Sequence, residues 1–144
     1  MQNPQEQLRR LDFRCALVIE EVDTLRISVT QLLRKQGWLA HPIKRAEQAF
    51  KILACIPYKL IVIDSELPGI CGMDFVRILN DSREWRAIQL VVITRTQSAG
   101  FATQVAECGA FLARASRWED DLCRFLSAYN EDLTREECLQ LAKL

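Results

Sequence analysis

The sequence is short of several things, and each shortage removes a class of function. There is one histidine, His41, in 144 residues. A single imidazole cannot build a multi-histidine metal centre, and no Ser/His/Asp set surrounds it, so His41 reads as structural. Neither charge sign is in excess: 19 Lys and Arg balance 19 Asp and Glu. The general attraction to nucleic acid or an anionic membrane surface that a basic chain would show is therefore not expected. No apolar run approaches the roughly 20 residues of a membrane span. The opening segment, Met1-Gln2-Asn3-Pro4-Gln5-Glu6-Gln7, is polar and has no apolar core of a secretory signal. The expected location is the cytoplasm. The six cysteines (Cys15, Cys55, Cys71, Cys108, Cys123 and Cys138) include no C-x-x-C pair and no second ligand at metal-binding spacing, which argues against zinc. Five lie in apolar surroundings and read as small buried hydrophobes in a reducing compartment. Cys71, in a loop, is the one expected to be exposed.

What is present is an ordinary globular composition, 49% hydrophobic and 26% charged, in a length that suits one domain with a proper core. The chain is organised around Tyr58-Lys59-Leu60-Ile61-Val62-Ile63-Asp64-Ser65-Glu66-Leu67-Pro68-Gly69. A continuous β-branched run of this kind suits a strand buried on both faces. It ends on a carboxylate, Asp64, and then meets a Pro-Gly turn signal. The carboxyl end of a central parallel strand is where open α/β sheets bind their ligands.

The rest of the chain supplies the elements such a sheet needs. After a polar lead-in over 1–13, with a short amphipathic piece around Leu8 and Leu11, the run 15–19 is a first strand ending in Glu20-Glu21. Asp23 is a candidate N-cap for a helix carrying Leu25, Val29, Leu32 and Leu33, stopped by Gly37. Residues 38–42 form a short strand whose Pro42 suggests an edge. Helices are expected over 44–55 and 73–79, joined across the central strand, with 83–86 a polar connection. A fourth strand over 89–93 ends in Thr94-Arg95-Thr96. A helix marked by Phe101, Val105 and Cys108 stops at Gly109. A fifth strand over 110–113 ends in Arg114, and Ser116 is placed to cap a fifth helix. Thr134-Arg135-Glu136-Glu137 is a capping box, with Leu133 and Cys138 at the staple positions, so 134–143 should form a short extra helix. That helix either packs on its own domain or makes a dimer or linker contact. The domain expected is 14–130, with a helical tail over 131–144.

Five strands alternating with five helices give an α/β fold: a doubly wound parallel sheet with right-handed crossovers and helices on both faces, three layers in all. All strand carboxyl ends then lie along one edge. Glu20, Glu21, Asp64, Thr94 and Arg114 stand there. Carboxylates that crowd together repel unless a hard cation sits among them, and Mg²⁺ favours such oxygen ligands. A hydroxyl and a guanidinium are suitable donors to phosphoryl oxygens. The chemistry suggested is phosphoryl transfer onto Asp64 as nucleophile.

These residues in this order resemble the receiver domain of two-component response regulators over 14–129. The acidic pair is matched by Glu20-Glu21, the phosphoacceptor and its turn by Asp64 with Leu67-Pro68-Gly69, and the hydroxyl after strand four by Thr94. Gly109-Ala110, the switch aromatic Phe111 and the basic position Arg114 complete the match. The resemblance implies a flavodoxin-like strand order 2-1-3-4-5. It also implies Mg²⁺ held by Glu20, Glu21, Asp64 and the backbone carbonyl of Glu66, with Thr94 and Arg114 on the phosphoryl group. The implied donor is a histidine kinase or phosphotransfer protein. Thr94 would be drawn inward on phosphorylation and Phe111 would turn into the space it leaves. The implied output surface is the fourth helix, fifth strand and fifth helix, with Phe101, Gln104 and Trp118 as candidates, leading to a downstream protein or a homodimer. Too few residues follow Tyr129 for a DNA-binding output domain, so output by association is expected.

The chain departs from the family pattern at four places. Arg114 stands for the usual Lys, Ala115 for Pro, Glu-Glu for a pair with at least one Asp, and Arg95 for a small residue. Two readings follow. Either Asp64 is a working phosphoacceptor, or Arg95 or Arg114 neutralises it permanently and the domain is a degenerate receiver acting only through protein contacts. An Asp-nucleophile phosphohydrolase is disfavoured, since Glu66 stands where that pattern has a second Asp and the length leaves no cap domain. Flavin binding is disfavoured by the acidic loop after the first strand, which is no phosphate cradle.

Overall fold

The computed structural model describes residues 14–96, 98–129 and 133–143; the lead-in expected over 1–13 lies outside them. Its strands are β1 (Cys15–Ile19), β2 (Leu39–Ile43), β3 (Leu60–Asp64), β4 (Gln89–Thr94) and β5 (Phe111–Arg114). Its helices are α1 (Asp23–Lys35), α2 (Ala46–Leu53), α3 (Gly72–Asp81), α4 (Ala99–Glu107), α5 (Trp118–Ala128) and α6 (Arg135–Ala142). All strand pairs are parallel and the order is β2-β1-β3-β4-β5. Six helices are therefore described, five in the alternation and the sixth being the tail helix.

The strands alternate strictly between two cores. Leu17, Ile19, Ile61, Ile63, Leu90 and Val92 face α2, α3 and α4, where Phe50, Phe75 and Val105 pack. Ala16, Val18, Leu60, Val62, Val91 and Ile93 face α1 and α5, meeting Val29, Leu33, Leu122 and Phe125. This two-sided demand is why β3 and β4 read as unbroken apolar runs. β2 sits at an edge, as its Pro42 requires. His41 is structural: its Nδ1 is hydrogen-bonded to the Tyr58 hydroxyl.

Local details differ from the sequence expectation in four places. Val22, not Asp23, is the N-cap of α1; Asp23 is the first helical residue and pairs with Arg26 instead. Ser116 does not cap α5, because a 3₁₀ turn over Ala115–Arg117 comes first and the helix starts at Trp118. The connection over 83–86 is not wholly polar, since the ring of Trp85 packs 6.2 Å from that of Phe50. Cys55, on the solvent side of the turn after α2, is the exposed cysteine, while Cys71 is half-buried.

α6 begins with the expected capping box on Thr134 and packs on its own domain. Cys138 and Ala142 are fully buried and Leu139 nearly so, against the α5 side of the core. Arg135 ties the helix to two loops and to the end of α3. It donates to the carbonyls of Gly109 (2.8 Å), Cys108 (2.6 Å) and Arg86 (2.8 Å), and to Asn80 Oδ1 (3.2 Å).

Candidate functional site

The register of the central strands decides which site residues meet. Ile19 lies opposite Ile63, so Glu20 comes level with Asp64. Asp64 lies opposite Ile93, so Ser65 comes level with Thr94; and Thr94 lies opposite Arg114. Residues level across parallel strands leave the sheet on the same side, and successive residues on opposite sides. Glu20 and Asp64 thus form one set, and Ser65, Thr94 and Arg114 another.

The first set is a carboxylate pair. Glu20 is 2% exposed. Burial, then a hydrogen bond to Asp64 and the charge of Asp64, push its carboxyl up to about 8. Glu20 Oε1 accepts from the Val22 N–H at 3.4 Å, while Oε2 is buried with no partner among the described residues. A site that holds two acid oxygens together is satisfied either by one shared proton or by a hard cation. Glu20 and Asp64 supply hard oxygen donors of the kind Mg²⁺ takes. Glu21 is exposed; no cluster of three acid, histidine or cysteine side chains occurs among the described residues.

Backbone bracing positions this pair. Asp64 Oδ1 accepts from the Glu66 N–H at 2.8 Å, folding the chain back over the carboxylate. Arg26 reaches from α1 to the carbonyls of Glu20 (3.0 Å) and Glu21 (3.1 Å) and to Asp23 (2.6 Å), so one guanidinium pins the β1–α1 loop. Glu47 of α2 accepts from the Ile70 N–H at 2.7 Å, bracing the Leu67–Ile70 turn, and that bond holds its carboxyl below the usual range. Gly69, at φ +77°, has room for no Cβ beside Glu47 Oε1. Gly72 lets the start of α3 approach the Asp64–Ser65 backbone, where a Cβ would stand 2.2 Å from the Asp64 carbonyl oxygen. Arg26, Glu47 and Gly72 are site-building residues that the sequence reading missed. A helix starting three residues after a Pro-Gly turn was the only visible hint of the last.

The second set is a hydroxyl pair. Ser65 Oγ is hydrogen-bonded to Thr94 Oγ1 at 3.0 Å, and the Thr96 N–H donates to the same oxygen at 2.9 Å. Both side chains are buried. Phe111 is already inside: it is 6% exposed and its ring lies 5.3 Å from that of Phe125. The inward turn expected of it has no outward starting point.

No ion pair joins Arg95 or Arg114 to Asp64 among the described residues, although the charge of Arg95 acts on Glu20 and partly offsets the upward push on its carboxyl. Arg95 lies 3.9 Å from Glu66 Oε2, in an exposed pair of little energetic weight. Arg114 is exposed, and only its backbone N–H is fixed, by Asp121 at 3.0 Å. It shares the Thr94 side of the sheet rather than that of Asp64. Its neighbours are Arg117, Arg124 and Lys143, around the open edge of β5, where a groove of about 410 Å³ is floored by Val105, Phe111 and Leu112. Asp121, paired with Arg117 and Arg124, is the only acid lining that groove among the described residues.

Comparison with known proteins bears on all of this. The response regulator receiver domain model matches residues 16–113. No curated protein matches the sequence. Among solved structures, a response regulator receiver protein of Pseudomonas putida superposes with TM-score 0.72 at 19% identity, covering 81% of this chain and 98% of that one. A chemotaxis response regulator of Vibrio cholerae gives 0.65 at 14% identity over 91% and 97%. The receiver domain of a sensor histidine kinase from Pseudomonas aeruginosa, solved with magnesium coordinated in its active-site cleft, gives 0.69 at 18% over 80% and 95%.

Proposed function

Because this chain belongs to the response regulator receiver domain family of two-component signalling, we propose that Asp64 is its working phosphoacceptor. The observation that carries the proposal is the buried Glu20 carboxyl set level with Asp64 at the strand ends. Burial of Glu20 costs the fold free energy that a permanently neutralised, degenerate site would have no reason to retain. A degenerate receiver built on Arg95 or Arg114 would pair a guanidinium with Asp64; Arg95 pairs instead with Glu66, at 3.9 Å, which supports the phosphoacceptor reading.

The donor in this proposal is a phosphohistidine on a histidine kinase or phosphotransfer protein. Asp64 attacks the phosphorus in line, the P–N bond breaks as the P–O bond forms, and the imidazole leaves with a proton. Bound Mg²⁺, on Glu20, Asp64 and the Glu66 carbonyl with Glu21 at the rim, would supply neutralisation of the phosphoryl charge. The Glu66 N–H holds Asp64 in its attacking orientation. Thr94 and Arg114 donate to the transferred group once they move, since both begin turned elsewhere. The output is a protein contact in the cytoplasm, and the basic, apolar-floored groove between α4, β5 and α5 suits a partner with acidic and apolar side chains.

Incubation with Mg²⁺ and acetyl phosphate, followed by intact mass measurement, tests the proposal. One added phosphoryl group, lost in Asp64→Asn, is the expected result. No mass shift under conditions that label an ordinary receiver would return the chain to the degenerate class.

A further inference from the structure

The hydroxyl expected to serve Asp64 is held away from it, and one side chain does the holding. Register sets Ser65 level with Thr94 on the side of the sheet opposite to the Asp64 carboxylate. Ser65 is itself fixed, because its N–H donates to the Ile93 carbonyl at 2.9 Å. Thr94 Oγ1 takes a bond from Ser65 Oγ at 3.0 Å and one from the Thr96 N–H at 2.9 Å. The Thr96 bond is a local hydroxyl–backbone turn, a weak kind, and Thr96 is exposed. The Ser65 bond is between buried groups, at 8% and 2% exposure, where losing a partner is costly.

We propose that Ser65 is a latch: its hydroxyl holds Thr94 in a resting orientation, and this bond must break before Thr94 can donate to a phosphoryl group on Asp64. The latch is a positioning device of the phosphoacceptor site and rests on that reading. The residue that follows the nucleophile thereby sets how readily the domain switches. The resting and phosphorylated orientations of Thr94 compete for one hydroxyl, so the apparent affinity for a phosphoryl group is reduced by the fraction of molecules in which Thr94 is latched.

The test uses Ser65→Ala, with Ser65→Thr as the variant that keeps the hydroxyl. In the free protein, three-bond couplings to the Thr94 methyl carbon report its rotamer. The wild type and Ser65→Thr should show one rotamer, and Ser65→Ala an average. Titration with beryllofluoride and Mg²⁺, a phosphoryl mimic, should then give roughly five-fold tighter binding in Ser65→Ala, the worth of one ordinary buried hydrogen bond, and wild-type affinity in Ser65→Thr. An unchanged single rotamer in Ser65→Ala overturns the latch, as does equal affinity in all three proteins. Binding by none of them refutes the phosphoacceptor reading and the latch with it, whereas binding by all with equal affinity refutes the latch alone.

Discussion

Gly72→Ala is the substitution that most directly probes how Asp64 is positioned. Ordinarily a glycine at the start of a helix gains about 0.5–1 kcal/mol when it becomes alanine. Here the added Cβ would lie 2.2 Å from the Asp64 carbonyl oxygen, 2.8 Å from Ser65 Cα and 3.0 Å from the Asp64 carbonyl carbon. A relaxed carbon–oxygen contact is about 3.3 Å, so the gap must open by roughly 1 Å. All three obstacles are backbone, so no side chain can swing aside. Either α3 tips outward or the end of β3 moves. Overpacking of this size costs about 1–3 kcal/mol, which outweighs the propensity gain and lowers the melting temperature by roughly 3–6 °C. The consequence for function should be larger: a 1 Å misplacement of a reacting group can cost about 100-fold in rate. Gly100→Ala is the control. Gly100 is also in the first turn of a helix, α4, but its Cβ would meet nothing nearer than Ser98 Oγ at 3.9 Å, so that variant should be slightly stabilised and label normally. Thermal melts and acetyl phosphate labelling rates on both variants are the assays. A Gly72→Ala protein that melts at or above wild type and labels at the wild-type rate would refute the packing argument.

Two further predictions concern charge. Glu20 has its folded value pushed up from an ordinary 4.5 to about 8. The folded chain thus keeps a proton that the unfolded chain releases. Its contribution is full below about 4.5 and is lost as pH rises through about 8, in metal-free buffer. The loss is on the order of 2 kcal/mol after allowing for water entering beside exposed Glu66 and Arg95. Glu20→Gln cannot ionise, so urea midpoints at pH 5.5 and 8.5 should converge for the variant relative to wild type; parallel falls in both would contradict the assignment. Arg135→Ala strands the carbonyls of Arg86, Cys108 and Gly109 and should cost about 2–3 kcal/mol in urea unfolding. Arg135→Lys should recover less than half, because an ammonium cannot reproduce the fork. Full recovery by lysine would mean that charge alone matters.

The fold was legible because burial on two faces leaves an unmistakable mark. β3 and β4 are continuous apolar runs, and their alternation with helices admits few topologies. Asp64, Glu20 and Thr94 were legible as strand-end residues for the same reason. What could not be read was side. A strand end identified to within one residue leaves the face undetermined, and a one-residue step reverses it. Arg114 was expected to converge on Asp64, but its level partner is Thr94 rather than Ile93, so it leaves the sheet on the other side. The acidic pair had the same ambiguity, and register sets Glu20 level with Asp64. Braces such as Arg26 to two carbonyls were illegible for another reason: they are contacts between a side chain and backbone, and a carbonyl has no residue type to signal it. Helix starts were misplaced at Asp23 and Ser116 because both residues can cap but neither is obliged to.

The way this site is braced bears on how it can switch. Asp64 is seated by contacts whose strength does not depend on the charge it carries, the close approach of Gly72 and the turn tied to Glu47, and by the charge-assisted bond from the Glu66 N–H. Glu20 is held through its backbone by Arg26 as well as through its carboxylate, which accepts from the Val22 N–H. On the proposed phosphoacceptor reading, a change of charge at Asp64 would therefore leave Asp64 and the acid beside it in place. The groups placed to respond are Thr94, held by the Ser65 hydroxyl and the Thr96 N–H, Arg95 through an exposed 3.9 Å pair, and the exposed Arg114 side chain. These lie on or just after β4 and β5, next to the groove at the open sheet edge. Rigid bracing on the β1–β3 side and loose partners on the β4–β5 side would send the response to a charge change toward that edge, where a docking partner could read it.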